Sequence, residues 1–389
     1  MDMQQYKMNW NYPTAVRVGA GRIAELADAC RELGMTAPLL VTDPGLAALP
    51  MVATTVQQCQ NNGLKVEVFS NIKGNPTGQN VMDGVVVYRL GHHDGIIAFG
   101  GGSALDAAKA IALMAGQDRP LWDFEDVGDN YQRVNVAAMA PVIAVPTTAG
   151  TGSEVGRASV ITDEAAQLKR IIFHPRMLPA LVILDPELTT GLPAGITAST
   201  GMDALSHNLE AYCSPVFHPM AEAIALEGMR LIKDYLPTAV QNGHDLEARL
   251  KMLVASSMGA TAFQRGLGSM HALAHPLGAL YDAHHGTLNA VLMPYVLVAN
   301  RASIEGRMDV LARHLQLPTP GFDGVLEWVL KLRSEMGIAH TLANLGIDEA
   351  RADLIAQMAI VDGAAGTNPI AHDEDRYREI FINAVRGNL

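Results

Sequence analysis

The chain has 389 residues, of which 49% are apolar and 17% are charged, as is typical of a globular protein large enough for two domains. Its formal net charge is −12 and its Lys and Arg residues form no cluster, which argues against binding to nucleic acids or anionic membranes. The three cysteines lack the spacing of metal ligands, no apolar run is long enough to cross a membrane, and residues 1–6 show no signal-peptide pattern. These features predict a cytoplasmic protein.

Short apolar strands alternate with amphipathic helices in the first half of the chain. Helices are expected between the strands, for example over 22–33 and 104–114. Uninterrupted apolar strands separated by helices are typical of a parallel sheet that is covered on both faces. The predicted strands lie at 37–43, 65–69, 95–99, 141–145 and 180–185.

Beyond residue 191 the strand signals fade and long helical patterns dominate. This change predicts two domains, an α/β domain over 1–191 and an all-helical domain over 192–389. The predicted helices of the second half cover 197–212, 219–233, 246–263, 269–280, 288–300 and 320–336.

The third predicted strand runs directly into Gly100-Gly101-Gly102-Ser103, which indicates a phosphate-binding turn. Glycines let backbone N–H groups approach a pyrophosphate, and the following helix offers unpaired N–H groups and its positive dipole end. Ser103 is expected to cap this helix, with Asp106 in the capping-box position. The pattern differs from the G-x-G-x-x-G fingerprint, so an ordinary glycine turn is the alternative.

Two further strand ends fit a dinucleotide. Thr147 and Thr148 follow the fourth predicted strand, where hydroxyls can line a ligand crevice; an ordinary polar loop is the alternative. Asp43 ends the first predicted strand, where its carboxylate can accept from a ribose 2′-hydroxyl and would repel a 2′-phosphate. This favours NAD over NADP, although a cap for the turn at Pro44-Gly45 explains Asp43 about as well.

Asp203, His207, His271 and His285 form a candidate metal site in the second half of the chain. Asp203 and His207 are four residues apart, so a helix places them on one face, and His271 and His275 repeat this spacing. One carboxylate and three imidazoles suit Zn²⁺, Fe²⁺, Co²⁺ or Mn²⁺. A single histidine is more often a buried structural side chain, but the repeated spacing favours a metal site.

Together, these motifs resemble the iron-containing, group III alcohol dehydrogenases over essentially the whole length. The matching segments are 100–109, 146–154, 185–207 and 271–286. The resemblance implies a dehydroquinate synthase-like architecture, in which an α/β N-terminal Rossmann-like domain with a parallel sheet precedes an all-α C-terminal helical domain and the active site lies in the cleft between. It implies Fe²⁺, with Zn²⁺ as the alternative, on Asp203, His207, His271 and His285. The NAD contacts that it implies are Asp43, Asn75, Gly101, Gly102, Ser103, Thr147, Thr148, Lys169 and Leu188, and we add Asp106 from the glycine turn.

The resemblance also implies a reaction, the transfer of hydride between an alcohol and NAD with the metal on the substrate oxygen. Asp203 and His271 would act through the metal. His275 matches a family histidine near the metal, and it would either relay the proton or serve the structure. Glu210, which continues the helix face of Asp203 and His207, is expected to support a metal ligand.

Two segments bear on the substrate. The stretch 262–268 is one residue shorter than in the propanediol and lactaldehyde type, and with 284–290 it resembles the 4-hydroxybutyrate dehydrogenase branch. A carboxylate-bearing substrate needs a cation, for which Arg157 and Arg265 are the candidates, with Phe263 near the latter. Arginines on the surface or at a helix cap are the alternative. His284 is expected to be an exposed side chain or to support a ligand.

Other functions stay open beside this one. A propane-1,3-diol or lactaldehyde reductase belongs to the same family. A lyase like dehydroquinate synthase also uses NAD and a metal, but the basic residues for a phosphorylated substrate are not evident, and a metal hydrolase would need no nucleotide. The expected partners are small alcohols or aldehydes and further copies of the chain, as a dimer or larger oligomer.

Overall fold

The computed structural model describes residues 8–10, 14–166 and 168–389. The chain divides into two compact units, the first formed by 1–148 with 152–191 and the second by 149–151 with 192–389. Residues 1–6, in which no signal peptide is predicted, lie outside the described part. Within the described ranges, none of the helices has both the length and the apolar character that crossing a bilayer requires.

A mostly parallel sheet forms the centre of the first unit. The strands of the described residues are β1 (Met8–Trp10), β2 (Ala15–Val18), β3 (Leu39–Val41), β4 (Glu67–Phe69), β5 (Ile96–Gly100), β6 (Val142–Pro146), β7 (Ala158–Asp163), β8 (Leu168–Phe173) and β9 (Leu181–Leu184). Seven of them form one sheet in the order β1-β2-β9-β6-β5-β3-β4, in which only β1 and β2 pair antiparallel. Strands β7 and β8 form a separate antiparallel hairpin.

The five predicted strands are all present, as β3, β4, β5, β6 and β9. Four of them, β3, β5, β6 and β9, are buried along their whole length, which explains their continuously apolar sequences. The hairpin of β7 and β8 was not predicted. In β7, half-buried and buried residues alternate, and that pattern gives a weaker signal in the sequence than a run of apolar residues.

The helices of the first unit are α1 (Leu26–Glu32), α2 (Pro44–Ala47), α3 (Pro50–Asn61), α4 (Gly78–Leu90) and α5 (Gly102–Met114). A 3-10 turn, Arg22–Glu25, precedes α1 and accounts for the predicted start at residue 22. The expectation that Ser103 caps α5 is wrong. Because helical geometry begins at Gly102, directly after the strand, the N-cap residue is Gly101 and Ser103 lies in the first turn.

The second unit is helical throughout its described length. Its helices are α6 (Ala194–Cys213), α7 (Pro219–Gln241), α8 (Leu246–Ala262), α9 (Ser269–Tyr281), α10 (His285–His314), α11 (Gly321–Glu335), α12 (Ala352–Ile360) and α13 (Glu374–Arg386). The predicted helices are present, but α7 and α10 extend well beyond their predicted ends, and α12 and α13 were not predicted. The predicted fold class, a parallel α/β unit followed by an all-helical unit, is confirmed.

Helix α6 lies at the centre of the helical unit and packs against α7, α8 and α10. From Thr197 to Cys213 every residue except Thr200 is buried. A helix that is buried all round normally carries apolar side chains only. Asp203, His207 and Glu210 break that rule, and buried ionisable groups need partners or a metal ion.

Candidate metal centre and cofactor site

Three helices bring the four predicted metal ligands together. One donor atom from each of Asp203, His207 and His271 lies within 4.8 Å of the other two, and all three residues are buried. The fourth, His285, has its Nε2 atom 3.7 Å from Oδ1 of Asp203, and its ring centroid is 5.2 Å from that of His271. Asp203 and His207 come from α6, His271 comes from α9, and His285 is the first residue of α10.

Glu210 orients one of these ligands. Its Oε2 lies 2.6 Å from Nδ1 of His271, and its Oε1 accepts a 2.7 Å hydrogen bond from the backbone N–H of Met270. A carboxylate behind a histidine fixes the tautomer, so that Nε2 carries the lone pair for a metal. Complete burial raises the pKa of Glu210 to about 7, although backbone N–H groups oppose the shift.

The surroundings of His207 orient its ring, and those of His271 favour its neutral form. Nδ1 of His207 lies 3.3 Å from the carbonyl oxygen of Gly150, which directs its Nε2 toward the other donors. Burial and the neighbouring His207 lower the pKa of His271 well below the usual histidine value. The buried Asp203, His207 and His271 and the half-buried His285 bring one carboxylate and three imidazoles together, a donor set that fits a divalent transition metal.

A second carboxylate–histidine pair lies beside the ligands. Nδ1 of His275 is 2.8 Å from Oδ2 of Asp362, and the His275 ring stacks on that of His285 with 5.5 Å between the centroids. The other carboxylate oxygen, Oδ1, accepts from the backbone N–H of Ala364 and so caps the short 3-10 helix Gly363–Thr367. His275 is therefore held in one orientation from its Nδ1 side.

The predicted phosphate cradle lies at the carboxyl ends of neighbouring strands in the sheet unit. Asp43 follows β3, Gly101 follows β5 and Thr147 follows β6, and these strands are adjacent in the order β6-β5-β3. Connections from β3 and from β5 leave toward opposite edges of the sheet, so this is the switch point at which α/β sheets bind ligands. The backbone N–H of Thr147 donates to the carbonyl of Gly100, which ties the two loops together.

Gly101 brings the backbone of the cradle close to Thr148. A Cβ atom at Gly101 would come within 3.3 Å of Oγ1 of Thr148. Gly101 also caps α5 without a side chain, so no capping side chain covers the first N–H groups of that helix. Backbone N–H groups and the helix dipole at this point suit the pyrophosphate of a dinucleotide.

Comparisons with known proteins bear on both sites. The family model of iron-containing alcohol dehydrogenases matches residues 13–186, and the model of the C-terminal part of this family matches residues 197–385. The chain belongs to the iron-containing alcohol dehydrogenase family. Membership implies NAD and a metal as cofactors, and it agrees with the resemblance that the motifs indicated.

Individual relatives of the family cover nearly the whole chain. A 4-hydroxybutyrate dehydrogenase from Cupriavidus necator is 39% identical, over 96% of this chain and 99% of its own length. A crystal structure of 1,3-propanediol oxidoreductase superposes with a TM-score of 0.91 at 34% identity, covering 99% of this chain and 100% of that one. A sulfoacetaldehyde reductase from Bifidobacterium kashiwanohense, solved with NAD⁺, gives a TM-score of 0.87 at 30% identity, covering 97% and 99%.

Several residues that were predicted to contact NAD form hydrogen bonds with other residues of the sheet unit. Asp43 accepts from the N–H of Leu46 as the N-cap of α2, which is the alternative weighed for it. Ser103 donates to the carbonyl of Gly74. The capping-box role expected for Asp106 is wrong, because the N-cap residue of α5 is Gly101 and not Ser103. The Asp106 carboxylate accepts from the Ser153 hydroxyl at 2.5 Å and from the Val160 N–H at 2.9 Å.

The remaining predicted cofactor residues are more scattered. Lys169 is half-buried on β8, within the hairpin. Leu188 lies in the 3-10 turn after β9 and packs into the apolar cluster of the sheet unit. Asn75 precedes Pro76, whose carbonyl accepts from the N–H of Thr162.

The three substrate candidates lie in different surroundings. Arg265 is only 1% exposed, and its guanidinium donates to the carbonyls of Tyr212, Ser214 and Val216 and to Glu222. These contacts anchor the connection between α6 and α7, so its charge is used within the helical unit. Arg157 is exposed, beside the Phe173 ring. Phe263 packs edge-on against the ligand His207, with 5.3 Å between ring centroids.

Two residues of this site were not singled out from the sequence. Asp362 is 87 positions from His275, and no local pattern links positions so far apart. Asn289 lies four residues after His285, so the spacing rule that connected Asp203 with His207 could have found it. His284 proves to be the N-cap residue of α10, where its Nδ1 accepts from the N–H of Thr287.

Proposed function

We propose that this chain is an NAD-dependent, metal-dependent alcohol dehydrogenase that interconverts a primary alcohol and its aldehyde. The observation that carries the proposal is the convergence of donor atoms from Asp203, His207 and His271 within 4.8 Å, in a member of the alcohol dehydrogenase family. We assign NAD binding to residues 1–191 and metal binding and catalysis to residues 192–389.

Each side chain of the helical site has its own part in the reaction. A bound divalent cation supplies Lewis acidity, which lowers the pKa of an alcohol and polarises an aldehyde carbonyl. Asp203, His207, His271 and His285 would hold that cation. His275 moves the proton, because Asp362 binds its Nδ1 side and leaves Nε2 to accept or donate.

The sheet unit would bind NAD, whose nicotinamide would supply hydride-transfer chemistry. Gly101, Gly102, Thr147 and Thr148 would surround the pyrophosphate, and the second carboxylate oxygen of Asp43 would bind a ribose hydroxyl. The further contacts that we propose are Asn75, Ser103, Lys169 and Leu188. Asp106 contributes through Ser153, because its carboxylate accepts from that hydroxyl.

The test combines metal analysis with a nucleotide assay. Protein purified without oxygen should contain about one divalent metal per chain, and it should form NADH from a simple primary alcohol. Asp203→Asn should lower kcat/KM by more than about 100-fold because a metal ligand loses its charge. Asp375→Asn, an exposed pair partner of Arg378, is the control and should behave as wild type. Full activity and full metal content in Asp203→Asn would refute the proposal. Product formation by the wild type without any conversion of NAD to NADH would favour the lyase or hydrolase alternatives.

For the substrate we propose a hydroxy acid such as 4-hydroxybutyrate. Support comes from the segments that resemble this branch and from the 39% identical dehydrogenase of that name. Arg157 is the cation that we propose for the carboxylate, and Phe263 an apolar wall beside His207. A panel of 4-hydroxybutyrate, butan-1-ol and propane-1,3-diol should give the highest kcat/KM with the acid. A preference for propane-1,3-diol would instead point to the activity of the similar 1,3-propanediol oxidoreductase.

Three finer points complete the proposal. We propose Fe²⁺ as the resident metal, and metal analysis of the protein purified without oxygen distinguishes it from Zn²⁺. The three cysteines are free and buried, which suits the reducing cytoplasm that we propose as the compartment. A dimer or larger homo-oligomer is expected, and light scattering during size-exclusion chromatography measures it.

A further inference from the structure

One buried amide contacts ligands from all three metal-binding helices. Nδ2 of Asn289 lies 2.9 Å from Oδ1 of Asp203 on α6 and 3.2 Å from Nε2 of His271 on α9. It also lies 3.2 Å from Nε2 of His285, one turn earlier on α10. Asn289 is 0% exposed, so water does not compete for these contacts.

The chemistry of the neighbours fixes which way this amide points. A carboxylate oxygen can only accept, so the NH₂ group of Asn289 and not its carbonyl must face Asp203. The carbonyl oxygen Oδ1 is consequently left buried without a hydrogen-bond partner among the described residues. An unpaired buried carbonyl destabilises the folded state. Its presence at this position therefore suggests that the donor of the same amide is needed beside Asp203.

We propose that Asn289 is a positioning residue of the metal centre that sets its affinity for a divalent cation. The inference rests on the proposed function, because it assumes that these four side chains bind a metal. The amide donates to Oδ1 of Asp203 and so fixes the orientation of a carboxylate that keeps further lone pairs for a cation. A ligand that is already oriented loses less conformational freedom when a cation binds, so the cation binds more tightly.

The competing explanation is that Asn289 only completes the packing of the helical core. Asn300 provides the matched control, since it is a buried asparagine on the same helix, 4% exposed. It exchanges two hydrogen bonds with Asn368, at 2.9 and 2.8 Å, and none with the four metal ligands. Replacing either residue removes a buried amide, but only Asn289 contacts the metal ligands.

The experiment measures Zn²⁺ affinity by competition with a chelator, beside the thermal unfolding of the metal-free protein. Asn289→Leu should raise the Kd for Zn²⁺ by about 10–100-fold, as loss of a side chain that hydrogen-bonds a metal-binding carboxylate does. Asn300→Leu should change it by less than about threefold, whatever its effect on Tm. Asn289→Ala, which adds no bulk, should raise the Kd to a similar extent and decides the matter if the leucine variant does not fold.

A double-mutant cycle identifies the ligand through which Asn289 acts. In an Asp203→Ala background, Asn289→Leu should weaken Zn²⁺ binding by less than about threefold further, because the principal acceptor of its hydrogen bond is gone. An unchanged Kd in Asn289→Leu or Asn289→Ala, with stoichiometric Zn²⁺ in the wild type, would overturn this inference alone. If the wild-type chain itself bound no Zn²⁺ and no Fe²⁺, the proposed function would fail first.

Discussion

Three of the four candidate metal ligands have a partner that orients them. Glu210 binds the Nδ1 side of His271, the carbonyl of Gly150 lies at Nδ1 of His207, and Asn289 donates to Asp203. The same arrangement recurs outside the ligand set, where Asp362 binds Nδ1 of His275. Partners of this kind decide which nitrogen carries the lone pair, and so which nitrogen can bind a metal or accept a proton.

Replacing Asp362 tests the proposed proton relay. The carboxylate only accepts, so it keeps the proton on Nδ1 of His275, whereas the amide of Asp362→Asn can donate and reverse the tautomer. We expect kcat/KM to fall by about 10–100-fold, less than the roughly 10²–10⁴-fold that general acid–base catalysis contributes in full, because the His275 ring itself is retained. Steady-state kinetics with metal analysis measures the effect, and the metal content should stay at the wild-type level.

Two further variants give this prediction its controls. In Asp353→Asn, an exposed carboxylate paired with Arg378 is changed, and activity should stay the same. Adding Asp362→Asn to His275→Ala should cost little more than His275→Ala alone, because the two residues act as a unit. Independent, multiplying losses would show that Asp362 does not act through His275.

At the level of elements, the site depends on close contact between helices α6, α9 and α10. Gly286, beside the ligand His285, lies so close to α6 that a Cβ atom there would be 2.4 Å from the carbonyl oxygen of Ser199 and 3.1 Å from Cβ of Asp203. At Gly268, before α9, an added Cβ would lie 2.9 Å from Oε1 of Glu210. Glycine at these positions allows the helices to approach until the ligands meet.

Two glycine substitutions in the same helix should have opposite effects. Gly286→Ala forces α10 away from α6, so we expect a loss of about 1–3 kcal/mol in the free energy of unfolding and weaker metal binding. Gly306→Ala meets nothing within 4 Å and should stabilise the protein by about 0.5–1 kcal/mol, because alanine favours a helix. Denaturant unfolding and metal titration measure both. Normal metal affinity in Gly286→Ala would show that the close approach is not needed.

On the scale of the whole chain, the two proposed tasks fall to different units. The candidate metal ligands and their partners belong to the helical unit, and the strand ends of the proposed phosphate cradle belong to the sheet unit. The helical unit buries carboxylate and imidazole groups among apolar side chains, an arrangement that a bound cation would stabilise.

Metal binding should therefore stabilise the folded chain in a site-dependent way. At a free metal concentration of about 100 times the Kd, the expected gain is roughly 2.7 kcal/mol. Hydrogen exchange should slow most in α6, α9 and α10, which carry the ligands. Asp203→Asn should diminish the effect at the same metal concentration, and equal slowing in wild type and this variant would point to metal bound elsewhere.

The sheet unit offers a pH dependence with a defined sign. Burial alone would raise the pKa of Asp94. Hydrogen bonds from Thr36 and from the N–H of Ala37 have the opposite and larger effect, so the pKa lies below the usual aspartate value. The stabilisation from this carboxylate is therefore complete above pH of about 4 and is lost as the pH falls through the lowered pKa.

Asp94→Asn isolates that contribution. At neutral pH we expect a loss of about 1 kcal/mol in the free energy of unfolding, a low figure because the carboxylate is partly exposed. The difference from wild type should shrink as the pH falls below about 4. Denaturant unfolding across this range measures it, with the exposed Asp28→Asn as control, and a difference that grows on acidification would contradict the assignment.

Local spacing explains how much of this protein could be predicted. Continuous apolar runs identify β3, β5, β6 and β9 because strands buried on both faces have no polar side to interrupt the run. The spacing of four between Asp203 and His207 specifies a shared helix face. The start of α5 was misplaced because a serine near a helix start suggests a cap, whereas glycines leave the first helical residue undefined.

Sequence alone determined the family, the fold class and the candidate ligands, because these depend on motifs and periodicities within short stretches of chain. The tertiary structure decided which distant groups complete the site: Glu210 behind His271, Asp362 behind His275 and Asn289 beside Asp203. It also decided that the guanidinium of Arg265 is bound within the helical core. Local spacing can single out Glu210 and Asn289 as residues facing the site, but which group each one contacts is set by the packing of helices far apart in sequence.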